Sequence, residues 1–137
     1  MVAIGYASDS NRIEFDCSDK LYCWNSDLVS LEIPEGVKSV ICYNNKLSEL
    51  IIPKGVIYVC CDDNLLTELI IPEGVNIISC ANNKLSKLNL PKGVKYLNCR
   101  NNLLMELKLP ESVTWLICDK VVNGLEELIG KIKILLW

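Results

Sequence analysis

Val94-Lys95-Tyr96-Leu97-Asn98-Cys99-Arg100-Asn101-Asn102-Leu103-Leu104-Met105-Glu106-Leu107-Lys108-Leu109-Pro110-Glu111-Ser112 is one unit of an array with a period of 19 residues. Cysteine returns at Cys23, Cys42, Cys61, Cys80, Cys99 and Cys118, and proline at Pro34, Pro53, Pro72, Pro91 and Pro110. Valine keeps step at Val37, Val56, Val75, Val94 and Val113, and asparagine at Asn45, Asn64, Asn83 and Asn102. No insertion or deletion breaks the frame, which marks a repeat architecture. Counted from the valine, the units are 18–36, 37–55, 56–74, 75–93, 94–112 and 113–131, with a truncated unit at 132–137. In that frame Ile132, Leu135 and Trp137 take the valine, leucine and cysteine places.

The consensus is V-x-x-[VIL]-x-C-x-x-N-x-L-x-x-L-x-[IL]-P-x-G. Its first six residues alternate about leucine and cysteine, as a strand with one buried face does. Identical coils stack such strands in parallel, ~4.8 Å apart, so seven span roughly 29 Å. The asparagine falls where the chain turns inward. Its amide has two donors and an acceptor, so a stack of them can bridge turn backbone between coils. Ser26 and Val121 replace it at the two ends. P-x-G fits a type I turn, with Pro at its second position and Gly at its fourth; Ser112 stands in for that Gly in the fifth unit. Too few residues separate Asn from Pro for a substantial helix, so the far side is expected to be extended or irregular.

V-x-x-L-x-C-x-x-N-x-L resembles the L-x-x-L-x-L-x-x-[NC]-x-L signature of leucine-rich repeats. Val37, Val40, Cys42, Asn45 and Leu47 hold those places in one unit, and later units follow. The short units containing Leu-Pro look like repeats of bacterial effectors and of proteins from bacteria and large DNA viruses. The resemblance covers residues 18–120. It implies a mainly β, right-handed solenoid with a parallel concave sheet, and protein–protein recognition as the usual role. With little room for convex helices, the arc is expected to be shallow.

Solenoids need their ends covered. In residues 1–17, Val2, Ile4 and Tyr6 alternate, as do Ile13, Phe15 and Cys17, which predicts a β-hairpin around a loop at Ala7–Asn11. In residues 121–137, Val122, Leu125, Leu128, Ile129 and Ile132 recur at helical spacing. Asn123 with Glu126 fits a capping box and Gly130 a stop, so a short helix over Asn123–Ile129 is expected, followed by a last strand.

Composition narrows the function. There is no histidine, which removes His-based acid–base chemistry and His metal sites. Net charge is −3 and the only arginines are Arg12 and Arg100, a poor basis for nucleic-acid binding. No run of 18 apolar residues is present, so no membrane span is expected. Eight cysteines without a secretory signal point to free thiols in a reducing, cytoplasmic setting, in a host cytoplasm or virion if the chain is viral. Stacked thiols share one direction, so they cannot close around a zinc ion, and their spacing suits a disulfide poorly. The ladder therefore reads as small buried hydrophobes. Cys60 is expected to face outward as the most reactive thiol. No catalytic, metal or cofactor site is expected.

The outward strand positions carry the functional expectation. One column runs Lys20, Ser39, Tyr58, Ile77, Tyr96, Trp115, Ile134; the next runs Tyr22, Ile41, Cys60, Ser79, Asn98, Ile117, Leu136. A flanking column carries Trp24, Tyr43, Asp62, Ala81, Arg100 and Asp119. Tyr, Trp and Ile are rich at interface hot spots. The expected partner-binding residues are Tyr58, Ile77, Tyr96, Trp115, Ile134, Tyr22, Ile41, Ile117 and Arg100. The expected partner is a protein. The alternative is a structural or virion assembly component that self-associates, as a homodimer for instance, through that face or the apolar edge at Ile132–Trp137.

Overall fold

The computed structural model describes residues 1–120, 122–123 and 125–137, with no account of the Glu127 side chain. The short alternating segments each form a strand: β3 (Lys20–Tyr22), β5 (Ser39–Ile41), β6 (Tyr58–Cys60), β7 (Ile77–Ser79), β8 (Tyr96–Asn98) and β9 (Trp115–Cys118). With β10 (Lys133–Leu136) they make one seven-stranded sheet in the order β10-β9-β8-β7-β6-β5-β3, every pair parallel. From β3 to β9 the register holds the 19-residue frame, so Lys20, Ser39, Tyr58, Ile77, Tyr96 and Trp115 are neighbours in one column. The result is a mainly β solenoid of about six turns.

The core is a set of columns. Leu21, Val40, Val59, Ile78, Leu97 and Leu116 stack beneath the sheet, with the cysteine column beside them, all buried. The valines, and Leu47, Leu66, Leu85 and Leu104, close the interior. The side opposite the sheet is largely irregular; a single-bridge contact joins Ile51 to Ile70 there.

The asparagines tie coil to coil. Asn64 accepts from the Leu47 N–H (3.1 Å) and donates to the carbonyls of Cys42 (3.0 Å) and Cys61 (3.2 Å). Asn45, Asn83 and Asn102 repeat the scheme. Ser26 has no coil behind it, and its hydroxyl turns to the Trp24 carbonyl (2.9 Å). At the other end Val121 lies outside the described residues. Asp119 accepts there from the Asn101 (2.9 Å) and Asn102 (3.3 Å) N–H groups.

The residue before each ladder asparagine, and before Ser26 in the first unit, forms a column that the consensus does not display. Asn25, Asn44, Asp63, Asn82 and Asn101 all sit at φ of 53–55°. Asn and Asp tolerate this left-handed conformation better than other residues with a side chain, and it turns the strand end into the core. At the fifth P-x-G turn, Ser112 bridges coils with its hydroxyl. It donates to the Val94 carbonyl (2.8 Å) and accepts from the Gly93 N–H (3.1 Å).

Strands β1 (Val2–Ala7) and β2 (Arg12–Asp16) pair antiparallel, and β1 also pairs with β4 (Leu28–Glu32) on the side of the first coil opposite the sheet. Ala3 is fully buried, and Ile13 and Phe15 pack on the core.

The C-terminal segment departs from expectation twice. The helix expected over Asn123–Ile129 includes Gly124, which lies outside the described residues. What is described there is a 3-10 turn at Glu126–Leu128, with no side chain capping it. The tail also slips by one residue. Lys133, not Ile134, pairs with Trp115, and Ile134 pairs with Leu116. A one-residue slip exchanges the two faces of a strand. Ile134 therefore packs toward the core instead of outward, while Leu135 joins the Ile117 column. The reason is size. The 19-residue frame would thrust the Trp137 indole into a column of cysteines, whereas the slip leaves Trp137 exposed.

Candidate functional site

The outer face of the seven-stranded sheet holds two aromatic groups separated by a polar trough. Near β3, Trp24 stacks on Tyr43 (centroids 5.8 Å apart, planes 12° apart) and meets Tyr22 edge-on (5.6 Å). Tyr22 and Trp24 are 49% and 40% exposed, too open for core packing alone to explain. Near β9, Tyr96 and Trp115 lie 6.2 Å apart with rings tilted by 46°, and the Lys133 ammonium sits 5.0 Å from the Trp115 ring. The Arg100 guanidinium lies 4.2 Å from the centre of the Trp137 ring. Such cation–ring contacts fix both partners.

Between these groups run Tyr58, Cys60, Asp62, Ile77, Ser79, Tyr96 and Asn98, around an open cleft of about 460 Å³. Asp62 accepts from the Ser79 hydroxyl (2.8 Å) and the Ala81 N–H (2.7 Å), and Asn98 donates to the Ser79 oxygen (3.0 Å). Burial, opposed by these hydrogen bonds, holds the Asp62 carboxyl above its usual range. Burial also raises the Tyr58 and Tyr96 phenols, with Cys60 next for Tyr58 and the Asp62 charge next for Tyr96.

The sequence-predicted positions fall as follows. Tyr58, Ile77, Tyr96 and Trp115 share one column, and Tyr22, Ile41 and Ile117 lie in the next. Arg100 stands beside them, held by Trp137. Ile134 does not join them, because the slip places it over Leu116. The face is also not one continuous apolar patch, since Ser79, Asn98 and Asp62 interrupt it. Sequence reasoning placed Trp24, Tyr43 and Asp62 in a flanking column without using them. Aromatic residues at the same place in adjacent units were the available signal for the Trp24–Tyr43 stack.

The cysteine ladder is buried and free of disulfides. Burial pushes Cys23 up to about 12 and Cys118 to about 11, and raises Cys42, Cys61 and Cys80 well above the ordinary thiol range. Cys60 does lie in an outward column, but it is half-buried, and burial together with the Asp62 charge pushes it up to about 11. Its thiolate is suppressed at neutral pH, though less than those of Cys23, Cys42, Cys61 and Cys80. Among the described residues, no group of His, Cys, Asp or Glu could hold a metal ion, and no helix is long and apolar enough to cross a membrane.

Two solved structures resemble the chain. YopM from Yersinia enterocolitica WA-314 aligns with a TM-score of 0.64 and 19% identity, over 87% of this chain and 25% of that one. The functional domain of InlJ from Listeria monocytogenes, which includes a cysteine ladder, aligns with a TM-score of 0.64 and 24% identity, over 84% of this chain and 33% of that one. The fold is that of the leucine-rich repeat. The chain spans about a quarter and a third of the lengths of those two proteins. No protein-family profile matches it, and no curated protein does.

Proposed function

We propose that the chain is a protein-interaction module that binds a protein partner on the outer face of its seven-stranded sheet. The observation that carries this reading is the pair of exposed aromatic groups, Tyr22–Trp24–Tyr43 and Tyr96–Trp115, on one side of one sheet. Rigid aromatic side chains give large contact area at low entropic cost and dominate interface energetics. Tyr58, Ile77, Ile41, Ile117 and Arg100 complete the surface. Lys133 takes the place first expected for Ile134, and Leu135 the place expected for Leu136. Residues 1–17 and 121–137 serve as the ends of the repeat domain at 18–120, and eight thiols suit a reducing compartment. The test is affinity capture with wild-type, Trp24→Ala and Trp115→Ala baits. The reading predicts loss of the same captured protein by at least one variant, with melting nearly unchanged. Equal capture by all three would count against it.

A second reading, self-association, rests on β10. This strand is the last in the sheet order, and Leu135, Leu136 and Trp137 are about half exposed. An open cleft of about 440 Å³ beside it is lined by Val122, Leu125, Ile129, Ile132 and Ile134, among others. An unpaired apolar edge is a template for another strand. Light scattering across a concentration series tests it: a dimer that Leu135→Lys converts to monomer supports the reading, and a wild-type monomer at every concentration removes it.

A further inference from the structure

The cleft over β7 has a specific chemistry. In the middle coil the outward positions are Ile77, Ser79 and Ala81, so side chains shorten along the strand toward Ala81. On one side stand Tyr58 and Asp62, and on the other Tyr96 and Arg100. Tyr58 and Tyr96 each pair with Ile77, which puts their strands ~9.6 Å apart, two strand spacings. The Asp62 carboxylate leans into the trough, held by the Ser79 hydroxyl and the Ala81 N–H. Oδ1 accepts only the Ala81 N–H and keeps capacity for another donor, while Oδ2 accepts the Ser79 hydroxyl and a long contact from the Cys60 thiol (4.0 Å).

That carboxylate has no cationic partner. The ion pairs among the described residues are Arg12–Glu14 and Lys46–Asp27. Arg100, the cation that acts on Asp62 through space, turns its guanidinium onto the Trp137 ring, and its Nε is buried without a hydrogen-bond partner. A half-buried negative charge costs free energy unless it is paired. Here it lies at the end of a trough between two tyrosine rings, whose faces attract cations.

Resting on the reading that this face binds a protein, we propose that the cleft receives a cationic side chain, arginine or lysine, presented by the partner. Its charged end pairs with Asp62, and its stem and flat head lie over Ile77 between Tyr58 and Tyr96. Asp62 is then the specificity-determining residue of the surface. The flanking aromatic groups supply contact area on either side.

The experiment is a titration of the full 15N-labelled chain with N-acetyl-arginine amide, N-acetyl-lysine amide and the neutral N-acetyl-citrulline amide, followed by NMR. The expected result is a saturable shift of the Ala81 and Ser79 amide signals with one or both cations, at a Kd on the order of 1 mM. Citrulline should give none, and Asp62→Asn should weaken the response at least about tenfold, which is 1.4 kcal/mol. If Asp62→Asn misfolds, Tyr96→Leu serves as the second variant and should weaken the response likewise. No saturable shift with either cation, an equal shift with citrulline, or full retention in a folded variant would overturn the proposal. The two readings fail separately. Capture lost with Trp115→Ala but kept with Asp62→Asn, together with silent titrations, leaves the binding face standing and removes the cation site.

Discussion

The Asn83 side-chain amide donates to the carbonyl of Cys61, one coil back and 22 residues earlier, at 3.0 Å. The same nitrogen donates to the Cys80 carbonyl in its own coil (3.1 Å), and its oxygen accepts from the Leu66 N–H (3.0 Å). The groups it joins are buried. A buried backbone group left without a partner costs about 1–3 kcal/mol. Asn83→Ala is therefore expected to lower unfolding free energy by at least that amount in urea titrations. Asn101→Ala, at the exposed neighbouring column, should cost less. Equal costs would mean the ladder is not what joins the coils.

The thiols make stability pH-dependent. The folded pKa values of Cys60 and the six ladder thiols lie above the unfolded value, so from pH 9 upward the unfolded chain loses protons from these thiols that the folded chain keeps. Raising the pH then favours unfolding. The window runs from about 9 to about 11 for Cys60 and Cys118, and to about 12 for Cys23. Each of these thiols contributes a loss of about 1.4 kcal/mol per pH unit inside its window. Denaturation midpoints at pH 7 and pH 10 should differ accordingly, and Cys80→Ala should flatten the slope. A midpoint independent of pH over that range would rule the buried ladder out.

The slipped register of β10 has a simple mutational signature. Ile134 packs against the core and Leu135 faces out. Ile134→Ala should cost about 1 kcal/mol or more, and Leu135→Ala should stay within about 0.5 kcal/mol. The unslipped 19-residue frame predicts the reverse order, so thermal melts of the two variants decide between the registers.

Arg100 and Trp137 should be energetically coupled. Their cation–ring contact at 4.2 Å predicts a coupling of about 0.5–1 kcal/mol in a double-mutant cycle of Arg100→Ala and Trp137→Ala. Additive single-variant costs would show that the contact contributes nothing to holding the tail.

The repeat, the strand positions and the buried ladders were legible in the sequence because each is a local pattern repeated at the same place. Cys42, Asn45 and Leu47 keep the same neighbours as Cys61, Asn64 and Leu66. In such a lattice one unit predicts the next. The left-handed column of Asn44, Asp63, Asn82 and Asn101 was also present, but alternation about leucine and cysteine does not reveal it. Backbone handedness at a turn is a matter of φ, not of hydrophobic period.

The candidate site was only half legible. Periodicity assigned Tyr58, Ile77, Tyr96 and Trp115 to one outward column. It could not say that Asp62 would reach sideways across a coil to Ser79 and Ala81, or that Arg100 would leave it for Trp137. Those choices depend on which neighbour is small, Ala81 in this case, and on where the guanidinium finds its ring.

The 19-residue frame alone determined the solenoid, its core columns and the identity of its outward face, because stacking identical coils leaves each side chain one kind of neighbour. Tertiary structure decided what happens where identity between coils ends. There Ile134 turns inward because an indole does not fit a column of thiols, and the outward face divides into two aromatic groups around an unpaired carboxylate. Neither outcome is periodic. Both follow from the sizes and charges of particular neighbours brought together only when the coils stack.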